Sequence, residues 1–177
     1  RLERGLEAIA ETTERITGQL DGLLAAARAR QAPAMDAEAD GIDLVAAAAR
    51  AVAEYQTTTS RHDVRLEMAL TTLVGPWDAD GIDRLLANLL TNAIKYSPDG
   101  GPVVVTLEAA QHDGPDGARA VLRVRDTGIG IPAADLPTVF ERSRRAANAA
   151  GFDGSGIGLA VVREVAEGHG GTVAVES

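Results

Sequence analysis

Asn88, Asn92 and Lys95 fall at i, i+4 and i+7 of a segment with helical period, so they stand in one line along it. Asparagine is a poor residue inside a helix, because its amide competes with the backbone for hydrogen bonds. Two of them a turn apart, in line with a lysine, could serve more than solvation. An amide oxygen is a hard ligand that suits a magnesium ion, which takes one or two protein ligands and fills its shell with phosphates and waters. It adds no negative charge beside those phosphates, and Lys95 can reach them as a point charge. The plainer reading of the same stripe is a solvated helix face.

A carboxylate comes next. In AVLRVRD (120–126) the alternation puts Ala120, Leu122, Val124 and Asp126 on one face, with Arg123 and Arg125 on the other. Asp126 is therefore expected on the apolar side, where an unpaired carboxylate is costly and needs a donor. Gly128 and Gly130 follow it and allow a tight turn. An ordinary turn after a strand would look the same. Asp-Thr-Gly after a strand is also the setting of an aspartic protease, but that chemistry needs two carboxylates sharing a proton. This chain has one copy of the motif. Further on, Gly154, Gly156 and Gly158 precede a helical segment, where open N–H groups and the helix dipole make an anion site. Such a glycine triplet is weak evidence when it stands alone.

Around these groups the chain reads as follows. Leu2, Leu6, Ile9, Thr13, Ile16, Leu20, Leu23 and Ala27 form a heptad seam, which predicts a long helix over 1–31 that seeks partner helices. Residues 32–41 read as a linker and 42–177 as one domain. Within that domain the periodicity predicts a helix at 42–57, strands at 64–70 and 72–75, and a helix at 79–96 capped by Asp78 or Asp80. Ile82, Leu85, Leu86, Leu89 and Ala93 are its expected core stripe. Strands at 102–110 and 119–126 flank a hairpin loop at 112–117. Residues 127–153 are irregular and too long for a plain loop in a compact domain, apart from an expected helix at 133–146. A helix at 156–168 and a strand from 171 complete the pattern. The fold class is α+β: a two-layer sandwich of a mixed, mainly antiparallel sheet covered on one face by helices, preceded by a long N-terminal helix.

Composition narrows the function. The chain is 45% apolar but only 3% aromatic, so its core must be aliphatic, and the absence of cysteine excludes disulfides and thiolate metal sites. A net charge of −9 argues against nucleic acid as a partner. The same charge means that an anionic ligand would need a cation and local basic residues, which Arg142, Arg144 and Arg145 supply. No apolar run approaches the ~20 residues of a membrane span. A cytoplasmic location is expected, with any membrane anchor in a region outside this chain.

Taken in order, NLLTNAIKYSPDG (88–100), VLRVRDTGIGIP (121–132) and GSGIGLAVV (154–162) resemble the ATP-binding domain of sensor histidine kinases. The wider superfamily includes type II topoisomerase, chaperone and mismatch-repair ATPases. The resemblance covers nearly the whole chain and implies a Bergerat-type ATP-binding fold. It implies that Asn92 holds Mg²⁺, that Asn88, Lys95 and Tyr96 line the nucleotide, and that Asp126 accepts a hydrogen bond from the adenine amino group. Gly128, Gly130 and Ile131 would shape the turn against the base. Gly154, Ser155, Gly156, Ile157, Gly158 and Leu159 would form the second glycine box. LPTVFERSRRA (136–146) resembles the family's F box through Phe140 and Arg142, with Ser143 where a second aromatic is usual. Arg142 and Arg145 are the expected phosphate contacts.

Hydrolytic relatives carry a glutamate general base at the place of Asn88, and an amide cannot accept that proton. The resemblance therefore implies transfer of the γ-phosphoryl group to a protein histidine, with Asn88, Lys95, Arg142 and Arg145 as the catalytic set. Residues 1–31 would be the second helix of the dimerisation hairpin, its first helix absent, and the domain would be truncated at its C-terminal end. The implied partners are ATP, the histidine-bearing hairpin and a response regulator receiver domain, with a homodimeric full-length protein. His62, His112 and His169 lack the phosphoacceptor context and are expected in surface or turn positions. A hydrolytic ATPase of the same superfamily and an inactive interaction module with this fold remain the alternatives.

Overall fold

The structure, a computed structural model, describes residues 41–110 and 119–177. The expected helix at 1–31, the linker up to residue 40, and the loop at 112–117 with His112 lie outside the described residues. Strand β1 (Ile42–Asp43) leads into helix α1 (Leu44–Thr58), followed by β2 (His62–Glu67) and β3 (Val74–Gly75). Helix α2 (Ala79–Lys95), the long strands β4 (Gly101–Ala110) and β5 (Arg119–Arg125), and helix α3 (Gly158–Gly168) complete the order.

Both early helices start where a carboxylate can cap them. Asp43 accepts from the Val45 N–H at 3.0 Å, and also from the Leu73 N–H at 2.9 Å and the Thr72 hydroxyl at 3.1 Å. Its carboxyl is held below the usual aspartate range, first by the Leu73 N–H, then by the other donors and against desolvation. Asp78 caps α2 by accepting from the Gly81 N–H at 3.0 Å, and Lys95 sits in the last turn, where the helix dipole favours a cation.

The main sheet has the order β2-β4-β5. β2 and β4 are parallel, from His62 opposite Gly101 to Glu67 opposite Thr106, with α2 in the crossover between them. β4 and β5 form an antiparallel hairpin from Val104 opposite Arg125 to Ala110 opposite Arg119. Val103, Val105 and Leu107 alternate along β4 and are buried against the helices. They join Leu86, Leu90 and Ala93 of α2 and Val45, Ala47 and Val52 of α1 in two clusters whose buried members are aliphatic, with the half-buried Trp77 and Tyr55 packed against them. The sheet is mixed and helix-covered, as expected. Among the described residues no helix is long and apolar enough to cross a membrane.

Four local expectations need correction. The strands expected at 64–70 and 72–75 are displaced to 62–67 and 74–75, because pairing with Gly101–Thr106 and with Ile42–Asp43 sets their limits. The core stripe of α2 runs through Ile82, Leu86, Leu90 and Ala93, and Leu85 and Leu89 are only half-buried on its flank. The helix expected at 133–146 is two short 3-10 turns, Leu136–Thr138 and Ala147–Ala149. Pro137 occupies the first turn, and Ser143 adopts a φ of 59°, which no continuing helix allows. Residues 171–177 form no strand: the alternation of GTVAVES is strand-like, but its backbone finds no ladder partner.

Candidate functional site

The C-terminal half of α2 meets the start of α3, and the motif residues gather there. Asn88 donates its Nδ2 to the Arg84 carbonyl at 2.7 Å, which turns Oδ1 toward the glycine loop. A Cβ placed on Gly158 would stand 2.9 Å from Asn88 Oδ1 and 3.4 Å from Asn92 Nδ2. The two helices approach this closely because residue 158 has no side chain. α3 begins without a side-chain cap on its first N–H groups, so its N-terminal dipole is open beside the two amides.

One turn on, the Lys95 ammonium lies 4.3 Å from the Tyr96 ring centroid, a cation–π arrangement. A Cβ on Gly154 would be 2.9 Å from Lys95 Nζ. The Tyr96 ring also meets Phe152 edge-on, with centroids 5.2 Å apart. The glycine loop is thus wedged between α2 and the basic segment, where Gly156 at φ 72° lies against the Arg144 backbone.

The turn after β5 is pinned to the same helix end. The Ile129 N–H donates to the Tyr96 carbonyl at 2.9 Å, and a Cβ on Gly128 would collide with that carbonyl. On its other side the turn is held by Asn148, whose Nδ2 donates to the carbonyls of Ile129 at 3.2 Å and Gly130 at 3.0 Å. The Ile131 N–H donates to the Ser177 hydroxyl at 2.7 Å. Asp126 finds its donor in the Gly128 N–H at 2.9 Å but is exposed, contrary to its expected place on the apolar side. The last ladder pair is Val104 with Arg125, so the carboxylate stands one residue beyond the sheet.

The arginines are placed differently. Arg142 is paired with Glu164 on α3 at 2.7 Å, and Arg144 with Glu141 at 3.3 Å. Arg145 donates to the Ala149 carbonyl at 2.6 Å and to that of Phe152, bracing the loop from within. The structure therefore brings together Asn88, Asn92, Lys95, Tyr96, the Asp126–Ile131 turn and the 154–158 loop, while Arg142 leans on α3.

For a divalent cation the donors on hand are amide oxygens. The described residues hold no cluster of three or more His, Cys, Asp or Glu side chains able to form a cage. Amides a turn apart in the C-terminal half of α2 fit magnesium, which is content with few protein ligands when phosphates supply the rest.

Two contributors were not legible in the sequence. Asn148 sits in an alanine-rich run with no pattern around it, and His62 is buried although it was expected at a surface or turn position. His169 lies in a turn, as expected, but with both ring nitrogens engaged.

A family model described as "Histidine kinase-, DNA gyrase B-, and HSP90-like ATPase" matches residues 77–177. The signal transduction histidine-protein kinase/phosphatase MprB of Mycolicibacterium vanbaalenii is 42% identical over 120 residues, covering 66% of this chain and 23% of that protein. The sensor histidine kinase YkoH of Bacillus subtilis is 35% identical over 178 residues, covering 99% of this chain and 37% of that protein. The chain thus spans well under half of these relatives. Among solved structures, a mycobacterial sensor histidine kinase MprB superposes with a TM-score of 0.61 at 34% identity, covering 74% of this chain and 82% of the other. The histidine kinase domain of the E. coli osmosensor EnvZ shares the fold, with a TM-score of 0.56 at 21% identity and coverage of 82% and 84%.

Proposed function

This chain belongs to the histidine kinase-, DNA gyrase B- and HSP90-like ATPase family and is homologous to the ATP-binding catalytic domain of sensor histidine kinases; from that premise we propose that it binds ATP with Mg²⁺ and passes the γ-phosphoryl group to a histidine on a dimerisation hairpin. One observation carries the reading: three motifs far apart in sequence meet at the end of α2. Gly158 lies against Asn88 and Asn92, Gly154 against Lys95, and the Ile129 N–H on the Tyr96 carbonyl.

In this reading Asn92 holds the metal, with Asn88 beside it. Bound Mg²⁺ would neutralise charge on the phosphate oxygens as the phosphoryl group leaves. The N–H groups at the start of α3, with Ser155, Ile157 and Leu159 flanking the glycines, face the phosphates, and Lys95 adds a point charge. Asp126 accepts from the adenine amino group while its other oxygen keeps the Gly128 N–H. The Asn88 amide cannot take a proton from water, which disfavours hydrolysis and leaves transfer to an imidazole as the productive route. Arg142 and Arg145 reach the phosphates only after leaving Glu164 and the loop carbonyls, so their part requires the segment to shift.

The whole protein is proposed to be a homodimer that hands the phosphoryl group to a receiver domain, with this domain on the cytoplasmic side. Residues 1–31 would supply the second helix of the hairpin. The test is to mix the chain with ATP, Mg²⁺ and a separate hairpin fragment bearing a phosphoacceptor histidine. Acid-labile phosphate on that histidine is the expected result. Failure of the chain to bind an ATP analogue would end the reading.

A further inference from the structure

His62, at the start of β2, is one of two buried polar residues among the described side chains, at 9% exposure; Ser97, at 2%, is the other. They are bonded to each other. His62 Nε2 lies 2.9 Å from the Ser97 carbonyl, and Nδ1 lies 2.8 Å from the Thr59 hydroxyl. A carbonyl only accepts, so Nε2 carries the proton. The Thr59 oxygen already accepts the Arg61 N–H at 3.2 Å, so its own hydrogen is available to Nδ1. With the imidazole neutral, the donors run one way, from Thr59 to His62 to Ser97.

Ser97 follows Tyr96, whose carbonyl anchors the glycine turn through Ile129. The Ser97 Oγ is buried without a partner and would lie 2.8 Å from a Cβ on Gly128. The turn after α2 is thus held by the His62 side chain together with the Gly100 N–H, which also donates to the Ser97 carbonyl at 2.9 Å, while it supports the segment Asp126–Gly130. The base of His62 is itself fixed: Gln56 accepts from the Val64 N–H at 2.6 Å and donates to the His62 carbonyl at 3.2 Å.

We propose that His62, which meets the 88–100 segment at the Ser97 carbonyl, is a positioning residue for the pocket: its Nε2–H, beside the Gly100 N–H, holds that carbonyl and so sets the Tyr96–Ser97 turn on which Gly128 and Ile129 rest. This rests on the nucleotide-binding reading above for its effect on affinity, but not for its effect on the turn.

The test compares two amides. In His62→Gln the side-chain NH₂ falls near the place of Nε2 and can still donate to Ser97. In His62→Asn it falls near Nδ1 and cannot. Binding of a non-hydrolysable ATP analogue with Mg²⁺ should stay within about twofold of the parent chain for Gln and weaken about five- to tenfold for Asn, the size expected for losing one buried hydrogen bond from a carbonyl that keeps the Gly100 N–H at 2.9 Å. Exchange of the Ile129 amide, followed by NMR without nucleotide, should quicken in the Asn variant alone. Equal behaviour of the two variants in both measurements would overturn the proposal. So would unfolding of the Asn variant alone, because the bond would then hold the domain and not the turn. Should the parent chain bind no analogue, the nucleotide reading fails, and Ile129 exchange decides the positioning role by itself: faster in Asn than in Gln upholds it, no difference ends it.

Discussion

The imidazole of His169, just past α3, accepts the backbone N–H of Asp78 at 2.8 Å and so ties the end of one helix to the start of another. Its other nitrogen, Nδ1, donates to the Val165 carbonyl at 2.8 Å. The two bonds need a neutral ring with its proton on Nδ1. This contact locks α3 beside α2 at the end opposite the motif residues, so it keeps the glycine loop at its working distance from Asn88.

His169→Ala removes both bonds and should therefore cost about 1–2 kcal/mol and lower Tm by about 3–6 °C. Thermal unfolding followed by circular dichroism measures it. An unchanged Tm would mean that water replaces the imidazole without loss.

Asp43 gives a pH dependence with a definite sign. Its folded-state pKa is depressed below the ordinary 3.8, chiefly by the Leu73 N–H, with Val45 and Thr72 adding to it. A depressed carboxylate contributes stability that is fully present above the unfolded value and is lost as pH falls through the folded one. Compared with Asp43→Asn, the parent chain should hold an advantage at neutral pH that shrinks once pH drops below about 4. Urea unfolding of both at a series of pH values measures this, and a gap independent of pH would contradict it.

What could be read from residues alone follows from how local each signal is. α2 was legible because Asp78, the apolar period from Ile82 and the closing Lys95 all lie within it. Its burial was misjudged at Leu85 and Leu89, which are half-buried, and at Leu90, which is buried, because a wheel cannot show that the sheet and α3 press on adjacent sides of the helix. The meeting of Asn88, Asn92, Lys95 and the glycines followed from motif order, since each motif sits at an element end. The partners of Arg142 and the role of Asn148 were not legible, because both depend on how an irregular segment folds back on distant residues. The strand expected from residue 171 failed for a related reason: alternation names a strand but not its partner.

Asp126→Asn tests the proposed base recognition apart from folding. The Asn oxygen can keep the bond from the Gly128 N–H, so the turn should stand and Tm should stay within about 1 °C. An amide accepts more weakly than a carboxylate, and affinity for an ATP analogue should fall about ten- to a hundredfold, the loss typical of a charged hydrogen bond. Calorimetric titration reads the affinity and a thermal melt the stability. Unchanged affinity would remove Asp126 from the site.

Two glycine substitutions should divide stability from binding. A Cβ on Gly128 meets the Tyr96 backbone carbonyl, which cannot move aside, so Gly128→Ala should destabilise the domain by about 2 kcal/mol. A Cβ on Gly158 meets the end of the Asn88 side chain at 2.9 Å, which can rotate away. Gly158→Ala should thus keep most of its stability, with a loss below about 1 kcal/mol, yet bind an ATP analogue more weakly, because Asn88 is turned out of place. Urea unfolding and nucleotide titration of both variants check the contrast, and equal losses in each would refute it.

The pairing of Arg142 with Glu164 at 2.7 Å sets up the last prediction. Both side chains are well exposed, so the pair contributes at most about 1 kcal/mol and less at high salt. Removing it should leave the fold almost unchanged. If Arg142 serves the phosphates, Glu164 competes with them for the same guanidinium, and the competition is part of the cost of binding. Glu164→Gln should then tighten an ATP analogue by about two- to fivefold at low ionic strength, with the difference fading as salt is added. The double variant with Arg142→Ala should lose that gain. A purely structural pair predicts instead a slightly lower Tm and no change in affinity, so titrations at two salt concentrations, beside a thermal melt, decide between them.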